Sequence, residues 1–452
     1  MNPMFHGKSL GKILPAAGCM LLLSGCMQFQ LSAEDLMRPP ALTQEQLEIS
    51  TALERAVGDN DLKYKYPENG ENRSSFLFYD LDGDGEDEAL VFYQAQSKGS
   101  ATWVNVLDRQ EEQWVSVFDL SAPNQETEVD FISFQPLLGP ESSVVIGWAD
   151  EYMNDKCAVV YRYDGSSLSE NFSVDYDYLS FTDLNNDGQL DMVAVTCDPF
   201  YEESTVSFIT KTISVSGKST LDRCSTLELP YNSAEVVAVQ TGMVDSSTPA
   251  LFLDSRVNPS RGQTMMVTQV VSAYGRELVN LLDSGETILS EMTLRPTSTL
   301  CQDIDGDGIM EVPSVSPLPG YEEEEEVLYL TTFNQLGVGR TWQPVLRCAI
   351  NEDHRYRITF PESWLDTVTI VSQPESSEWS FIRYNGTLED TSVLLLRLKV
   401  YSVKDYHDKF ESEYFRLLGQ QGLFEYYAHI PESDDSLAIS EKQLQELFAF
   451  LG

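Results

Sequence analysis

Three short segments carry oxygen donors at a spacing that suits a hard cation. Asp80-Leu-Asp82-Gly-Asp84-Gly85 recurs as Asp183-Leu-Asn185-Asn-Asp187-Gly188 and as Asp303-Ile-Asp305-Gly-Asp307-Gly308. Alternate residues of a tight turn face the same side, so positions 1, 3 and 5 converge while the residues between them point away. Glycine at position 6 lets the backbone bend where a Cβ would clash. The carbonyls of Glu86, Gln189 and Ile309 stand at position 7. Glu88, Asp191 and Glu311 close each ring at position 9. Five oxygens in nine residues suit calcium, which takes 6–8 oxygen ligands. The first and third loops supply four acidic side chains each, whereas the second has the neutral Asn185 in place of one.

These loops are not EF-hands. Such a loop needs a bidentate Glu at position 12, where this chain has Val91, Ala194 and Ser314. It also lies between helices, while here the flanking segments read as strands. The pattern resembles the FG-GAP/VCBS repeat family, found in integrin-alpha-like proteins. The resemblance implies blades of a β-propeller, each with an Asp-x-Asp-x-Asp-Gly calcium loop between its first two strands.

The elements that must hold the loops are short and β-rich. Phe76–Tyr79, 89–93, 102–107, 114–118, 144–148, 158–163 and 192–196 are runs of β-branched and aromatic residues bounded by turn residues. The loops begin 103 and 120 residues apart, each about twice the ~40–50 residues of one propeller blade. A degenerate copy is therefore expected in each gap. Phe134 to Gly139 followed by 144–148 fits the first, and 236–239 with Gly242, Asp245 and 250–253 fits the second. The expected fold is mainly β: a propeller of about five blades over residues 75–349 with a small C-terminal α+β domain over 350–452. Val312-Pro313 is expected to weaken the strand after the third loop.

Outside that region, Thr43 and Gln46 form a capping box before a helix with Ile49, Leu53, Ala56 and Val57 on one face, stopped by Gly58. Residues 42–74 are this helix and its lead-in. In the C-terminal part, 356–360, 367–371, 379–384, 393–401 and 423–430 read as strands. Tyr406, Phe410, Tyr414 and Leu417 at helical spacing predict one helix ending near Gly419. Ser440 and Gln443 cap a second that carries Leu444, Leu447, Phe448 and Leu451. The Glu322 to Glu326 run reads as a solvated loop.

At the N-terminus, Lys8 and Lys12 precede an apolar run from Ile13 to Leu23, which is too short to span a bilayer as a helix. Leu23-Ser24-Gly25-Cys26 follows and resembles the lipobox of bacterial lipoproteins. That resemblance implies a signal peptide over 1–25, lipidation of Cys26, a tether over 26–41, and display on the extracytoplasmic face of the cell membrane. Among the remaining cysteines, 157, 197, 224, 301 and 348 are odd in number and lack Cys-x-x-Cys spacing, which argues against zinc and a full disulfide framework. Export permits a disulfide, with Cys197–Cys224 the nearest pair, but buried free thiols are the expected state.

The chain has 452 residues, 72 Asp plus Glu against 29 Lys plus Arg, and a net charge of −43. A field of that sign repels nucleic-acid backbones and anionic lipid headgroups, and favours divalent cations. Membrane association therefore rests on the lipid alone. Gly217-Lys218-Ser219 lacks the glycine five residues earlier that a phosphate loop needs, since Thr212 stands there. No Gly-x-Ser-x-Gly elbow occurs, and His354, His407 and His429 have no metal-spaced partners. The expected function is a lipid-anchored cell-surface calcium-binding protein, a binding or scaffold module for a protein or glycan ligand, with no catalysis of its own. The alternative is an exported hydrolase acting on glycans or peptidoglycan, which would need two carboxylates in one cleft with pKa values pushed apart.

Overall fold

The computed structural model describes residues 42–139, 143–150, 155–198, 203–230, 233–260, 263–284, 287–337, 340–403 and 414–451. The expected signal segment and Cys26 lie outside them, as do Tyr406, His407 and Phe410.

The protein is mainly β, built as consecutive antiparallel meanders. Sheet 1 contains Phe76–Tyr79, Glu88–Gln94, Trp103–Gln110 and Gln113–Ser121, with Lys63–Tyr64 also paired to Glu88–Gln94. Sheet 2 contains Thr127–Gln135, Ser143–Asp150, Lys156–Tyr163 and Leu168–Asp175. Sheet 3 contains Tyr178–Thr182, Asp191–Asp198, Glu203–Ile213 and Ser219–Glu228. Sheet 4 contains Ser233–Met243, Pro249–Ser260, Gln263–Tyr274 and Glu277–Asn280. Sheet 5 contains Val312–Pro317, Tyr329–Gly337, Thr341–Asn351 and Tyr356–Thr359. The two degenerate copies expected from sequence fall on the first hairpins of sheets 2 and 4.

Both faces of the central strands are apolar because sheets 2 to 5 each pack on the sheet before them and, like sheet 1, on the sheet after. Leu90, Phe92 and Val106 of sheet 1 share a core with Val144, Ile146 and Trp148 of sheet 2. Val145 and Val160 of sheet 2 meet Met192 and Ile209 of sheet 3. Val193 and Phe208 of sheet 3 meet Leu251 and Val271 of sheet 4. Phe252 and Val270 of sheet 4 then meet Val312 of sheet 5. The other face of sheet 1 is covered by helix α1, Gln44–Val57, through Ile49, Ala52 and Leu53. Its Thr43–Gln46 capping box and its left-handed Gly58 stop are present. Ala52, rather than the expected Ala56, joins the core, and Ala56 is exposed.

The C-terminal part differs from expectation in three respects. Arg416–Gln421 is a strand, not the end of a helix: it pairs with Phe424–His429 through a hairpin whose Gly422 has φ 58°. Leu417 is exposed there, so its helical spacing carried no burial. Helix α2, Glu441–Leu447, has the Ser440–Gln443 capping box but ends before Phe448. Phe448–Phe450 instead pairs with Tyr356–Thr359 of sheet 5. The expected boundary at 349–350 falls inside the strand Thr341–Asn351. A single core joins sheet 5 to the last sheet, through Tyr356, Ile358, Trp364, Phe381 and Leu396. That last sheet contains Val368–Gln373, Glu378–Arg383, Leu394–Ser402, Phe424–His429 and Arg416–Gln421.

Pro313 does not prevent its strand from forming. It pairs with Phe333 on an edge strand of sheet 5, where a missing N–H costs no ladder bond. The strand before the third loop is the reduced one, a single bridge between Gln302 and Glu311. Residues 322–326 are exposed, as expected. No helix among the described residues is long and apolar enough to cross a membrane.

Candidate metal centres

The three acidic loops are wired alike. The position-1 aspartate accepts the N–H of the position-6 glycine: Gly85 to Asp80 at 3.1 Å, Gly188 to Asp183 at 2.8 Å, Gly308 to Asp303 at 2.9 Å. The side chain at position 3 accepts the N–H of position 5: Asp84 to Asp82 at 3.2 Å, Asp187 to Asn185 at 3.1 Å, Asp307 to Asp305 at 3.2 Å. Position 5 accepts the N–H of position 7: Glu86 to Asp84, Gln189 to Asp187, Ile309 to Asp307, at 2.8–2.9 Å. Positions 4 and 6 have positive φ throughout. Gly83, Asn186 and Gly306 are at 78°, 55° and 80°, so asparagine takes in the second loop the place that glycine takes in the others.

Position 9 ties the end of each loop to its beginning. Glu88 accepts the N–H of Leu81 at 2.7 Å, Asp191 that of Leu184 at 3.3 Å, and Glu311 that of Ile304 at 2.7 Å. All three acids are buried, at 2%, 0% and 0% exposure. Burial, reinforced by the charges of Asp82 and Asp108, pushes the Glu88 carboxyl up to about 7 against the opposing Leu81 N–H. Burial pushes Asp191 up to about 6, with Asp187 and Asp183 adding to the rise. Glu311 is raised for the same reason, while hydrogen bonds from Ile304 and Gln335 oppose the rise.

Asp80, Asp82 and Glu88 bring one carboxylate oxygen each within 4.8 Å of one another, and Asp303, Asp305 and Glu311 do the same. These two acidic clusters can hold a metal ion. The fit follows from the donor set: three convergent carboxylates, one of them buried and unfavourably charged until a cation neutralises it. Asp84, Glu86, Asp307 and Ile309 lie outside these two groups of three. The second loop makes no such group of carboxylates among the described residues. There Asn185 donates its side-chain amide to Gly275 at 2.9 Å and to Asp187 at 3.2 Å.

Sequence spacing missed the residue across the strand pair from position 9. One step beyond the Ala89–Leu107, Met192–Ile209 and Val312–Asn334 pairs stand Asp108, Thr210 and Gln335. They differ chemically, and only the pairing of distant strands places them. The turn at Asp245 in sheet 4 shows how a copy does without a cation. Its carboxylate accepts the N–H and hydroxyl of both Ser247 and Thr248, at 2.8–3.0 Å. Cys157, Cys224, Cys301 and Cys348 are free cysteines, as expected.

No family model matches the chain. No curated protein matches it either. Among solved structures it is similar to the exotype rhamnogalacturonan lyase YesX, at 12% identity and a TM-score of 0.25, over 73% of this chain and 62% of that one. The chain thus spans less than two thirds of that structure, and a likeness at this level carries no argument about function.

Proposed function

We propose that the chain is a lipid-anchored, extracytoplasmic calcium-binding protein that acts as a binding or scaffold module for a protein or glycan ligand, without catalysis of its own. The observation that carries this reading is the convergence of Asp80, Asp82 and Glu88, repeated by Asp303, Asp305 and Glu311. Calcium is the cation these all-oxygen donors suit, and an extracytoplasmic protein meets it in abundance. Bound there, it would supply charge neutralisation and tie the segments flanking each loop together. It would take no part in chemistry.

The five meanders are read as blades of an FG-GAP/VCBS-like propeller. Their consecutive order and their shared cores support this. Helix α1 and the C-terminal sheet would then cover the two end faces that a closed ring packs together. The lipobox-like sequence ending at Cys26 supports the anchor. Against a hydrolase, the two carboxyls raised to about 7 and about 6 serve as loop ends in different sheets.

Elemental analysis of protein dialysed against calcium tests the reading. Two ions per chain are expected from the first and third loops, and none would remove calcium from the account.

A further inference from the structure

A cleft of about 680 Å³ opens where the first strands of sheets 2 and 3 meet residues 69–72, between Lys63–Tyr64 and Phe76–Tyr79 of sheet 1. Its size lies within the ~300–1,000 Å³ of small-molecule sites. Four independent features of the chain converge on its floor.

The first is a β-bulge. The pairing of Thr127–Gln135 with Ser143–Asp150 slips between Val129 and Phe131, leaving Asp130 as the extra residue. Bulges re-aim a side chain, and this one places the Asp130 carboxylate in the cleft wall at 5% exposure. The second is a set of donors from three different segments. Tyr176 donates its hydroxyl to Asp130 at 2.6 Å, Asn69 its amide at 2.7 Å, and Lys156 its ammonium at 3.1 Å. The third is Gly147, where an added Cβ would lie 2.3 Å from the Tyr176 hydroxyl and 2.4 Å from the Phe131 ring. Only a bare α-carbon lets Tyr176 reach Asp130. The fourth is aromatic: Phe131, Tyr178 and Phe181 line the same cleft, and Tyr178 is 37% exposed.

The electrostatics narrow the ligand. Burial alone would raise the Asp130 carboxyl, but the hydrogen bonds from Tyr176, Asn69 and Lys156 outweigh it and hold the group below its ordinary value. The carboxylate is therefore charged at neutral pH, with oxygen lone pairs beyond those its three donors occupy. The lining carries Asp130, Glu71 and Asp177 against Lys156, inside a chain of net charge −43. An anion would be repelled, and a cation would meet the Lys156 ammonium beside the one deep carboxylate. A ligand without charge, rich in hydroxyls and with a flat apolar face, satisfies the charged hydrogen-bonding groups and the rings together.

We propose that this cleft between sheets 2 and 3 binds a neutral saccharide, with Asp130, Lys156 and Asn69 engaging its hydroxyls and Tyr178 or Phe181 facing its ring. The site is distinct from the acidic loops and does not depend on their being loaded.

The test uses the purified chain in saturating calcium, titrated with glucose, galactose, N-acetylglucosamine and cellobiose by calorimetry and thermal shift. Each is taken to about 10 mM, which reaches dissociation constants in the millimolar range. Glucuronate and glucosamine serve as charged controls. At least one neutral sugar is expected to bind and raise the melting temperature. Lys156→Met should weaken that binding tenfold or more. Glu71→Trp, at an exposed position on the cleft rim, should block it while leaving the sugar-free melting temperature unchanged. No binding by any neutral sugar, tighter binding of a charged control, or binding unaltered in Glu71→Trp would each overturn the proposal. The calcium-induced thermal shift, recorded in parallel, fails or survives separately.

Discussion

Gln335 donates its side-chain amide to Glu311 at 2.8 Å and to Asp307 at 3.0 Å, so a neutral residue from a neighbouring strand braces the third acidic loop. The corresponding place beside the first loop holds Asp108, whose charge instead pushes Glu88 up. The two clusters have the same loop carboxylates and different neighbours. The first concentrates more negative charge and gains more from a cation.

Asp108→Asn should therefore weaken calcium binding at the first loop two- to fivefold, equivalent to about 0.5–1 kcal/mol for a partly exposed charge. Gln335→Glu should strengthen the third loop by a similar factor. Calorimetric titration of calcium into each variant reads both. Equal affinities in wild type and Asp108→Asn would show that the cross-strand residue plays no part.

Protonation of Glu88 gives a second check. Its carboxyl stands at about 7 in the folded chain against an ordinary 4.5. Between those values the folded, metal-free protein binds more protons than the unfolded chain. The destabilising contribution is thus fully present above about pH 7 and is relieved on acidification. His354 and His429, both pushed down by burial, act in the opposite sense. Comparison of wild type with Glu88→Gln isolates the carboxyl. In EGTA the variant should melt higher than wild type near pH 8, and the gap should narrow by about pH 5.5. A gap independent of pH would mean that Glu88 is not the titrating group.

A buried pair between sheet 4 and the segment at Arg295 should give a large loss of stability. Arg295 and Asp254 are both fully buried and joined at 2.8 Å, with Cys301 donating its N–H to Asp254 at 2.8 Å. Asp254→Ala leaves a buried guanidinium without its anion and should cost about 3–5 kcal/mol. Replacing both residues with apolar ones of similar volume should cost less. Chemical denaturation of the single and double variants measures the difference, and an equally stable Asp254→Ala would refute it.

The loops were legible in sequence because their donors recur at fixed spacing within nine residues. The strands named from sequence were legible because each is a short β-branched or aromatic run bounded by turn residues, whereas the longer and more polar Glu203–Ile213, Ser219–Glu228 and Gln263–Tyr274 carry no such pattern. What sequence left hidden depends on pairing between distant segments. The bulge that turns Asp130 inward is a property of two strands in register. The assignment of Gln335 and Asp108 to their loops likewise depends on cross-strand pairing. Spacing of Tyr414 and Leu417 pointed to a helix, but Arg416–Gln421 gains a full partner strand in Phe424–His429, and local periodicity does not register that competitor. The return of Phe448–Phe450 to sheet 5 is a contact across about 90 residues, invisible to any local pattern.

The anchor is tested by one substitution. Cys26→Ala should move the protein from the membrane fraction to the soluble fraction, since no helix among the described residues is long and apolar enough to hold it there. Full retention of the variant in membranes would contradict lipid attachment at this residue.

Calcium dependence of stability tests the central claim most directly. Binding to the folded chain alone raises its stability by mass action. The melting temperature should therefore rise from EGTA to millimolar calcium. Asp82→Ala and Asp305→Ala, which each break a three-carboxylate cluster, should remove more of that rise than Asn185→Ala, whose loop forms none among the described residues. A melting temperature identical in EGTA and millimolar calcium, for wild type and all three variants, would contradict the account and leave these loops as self-bonded turns.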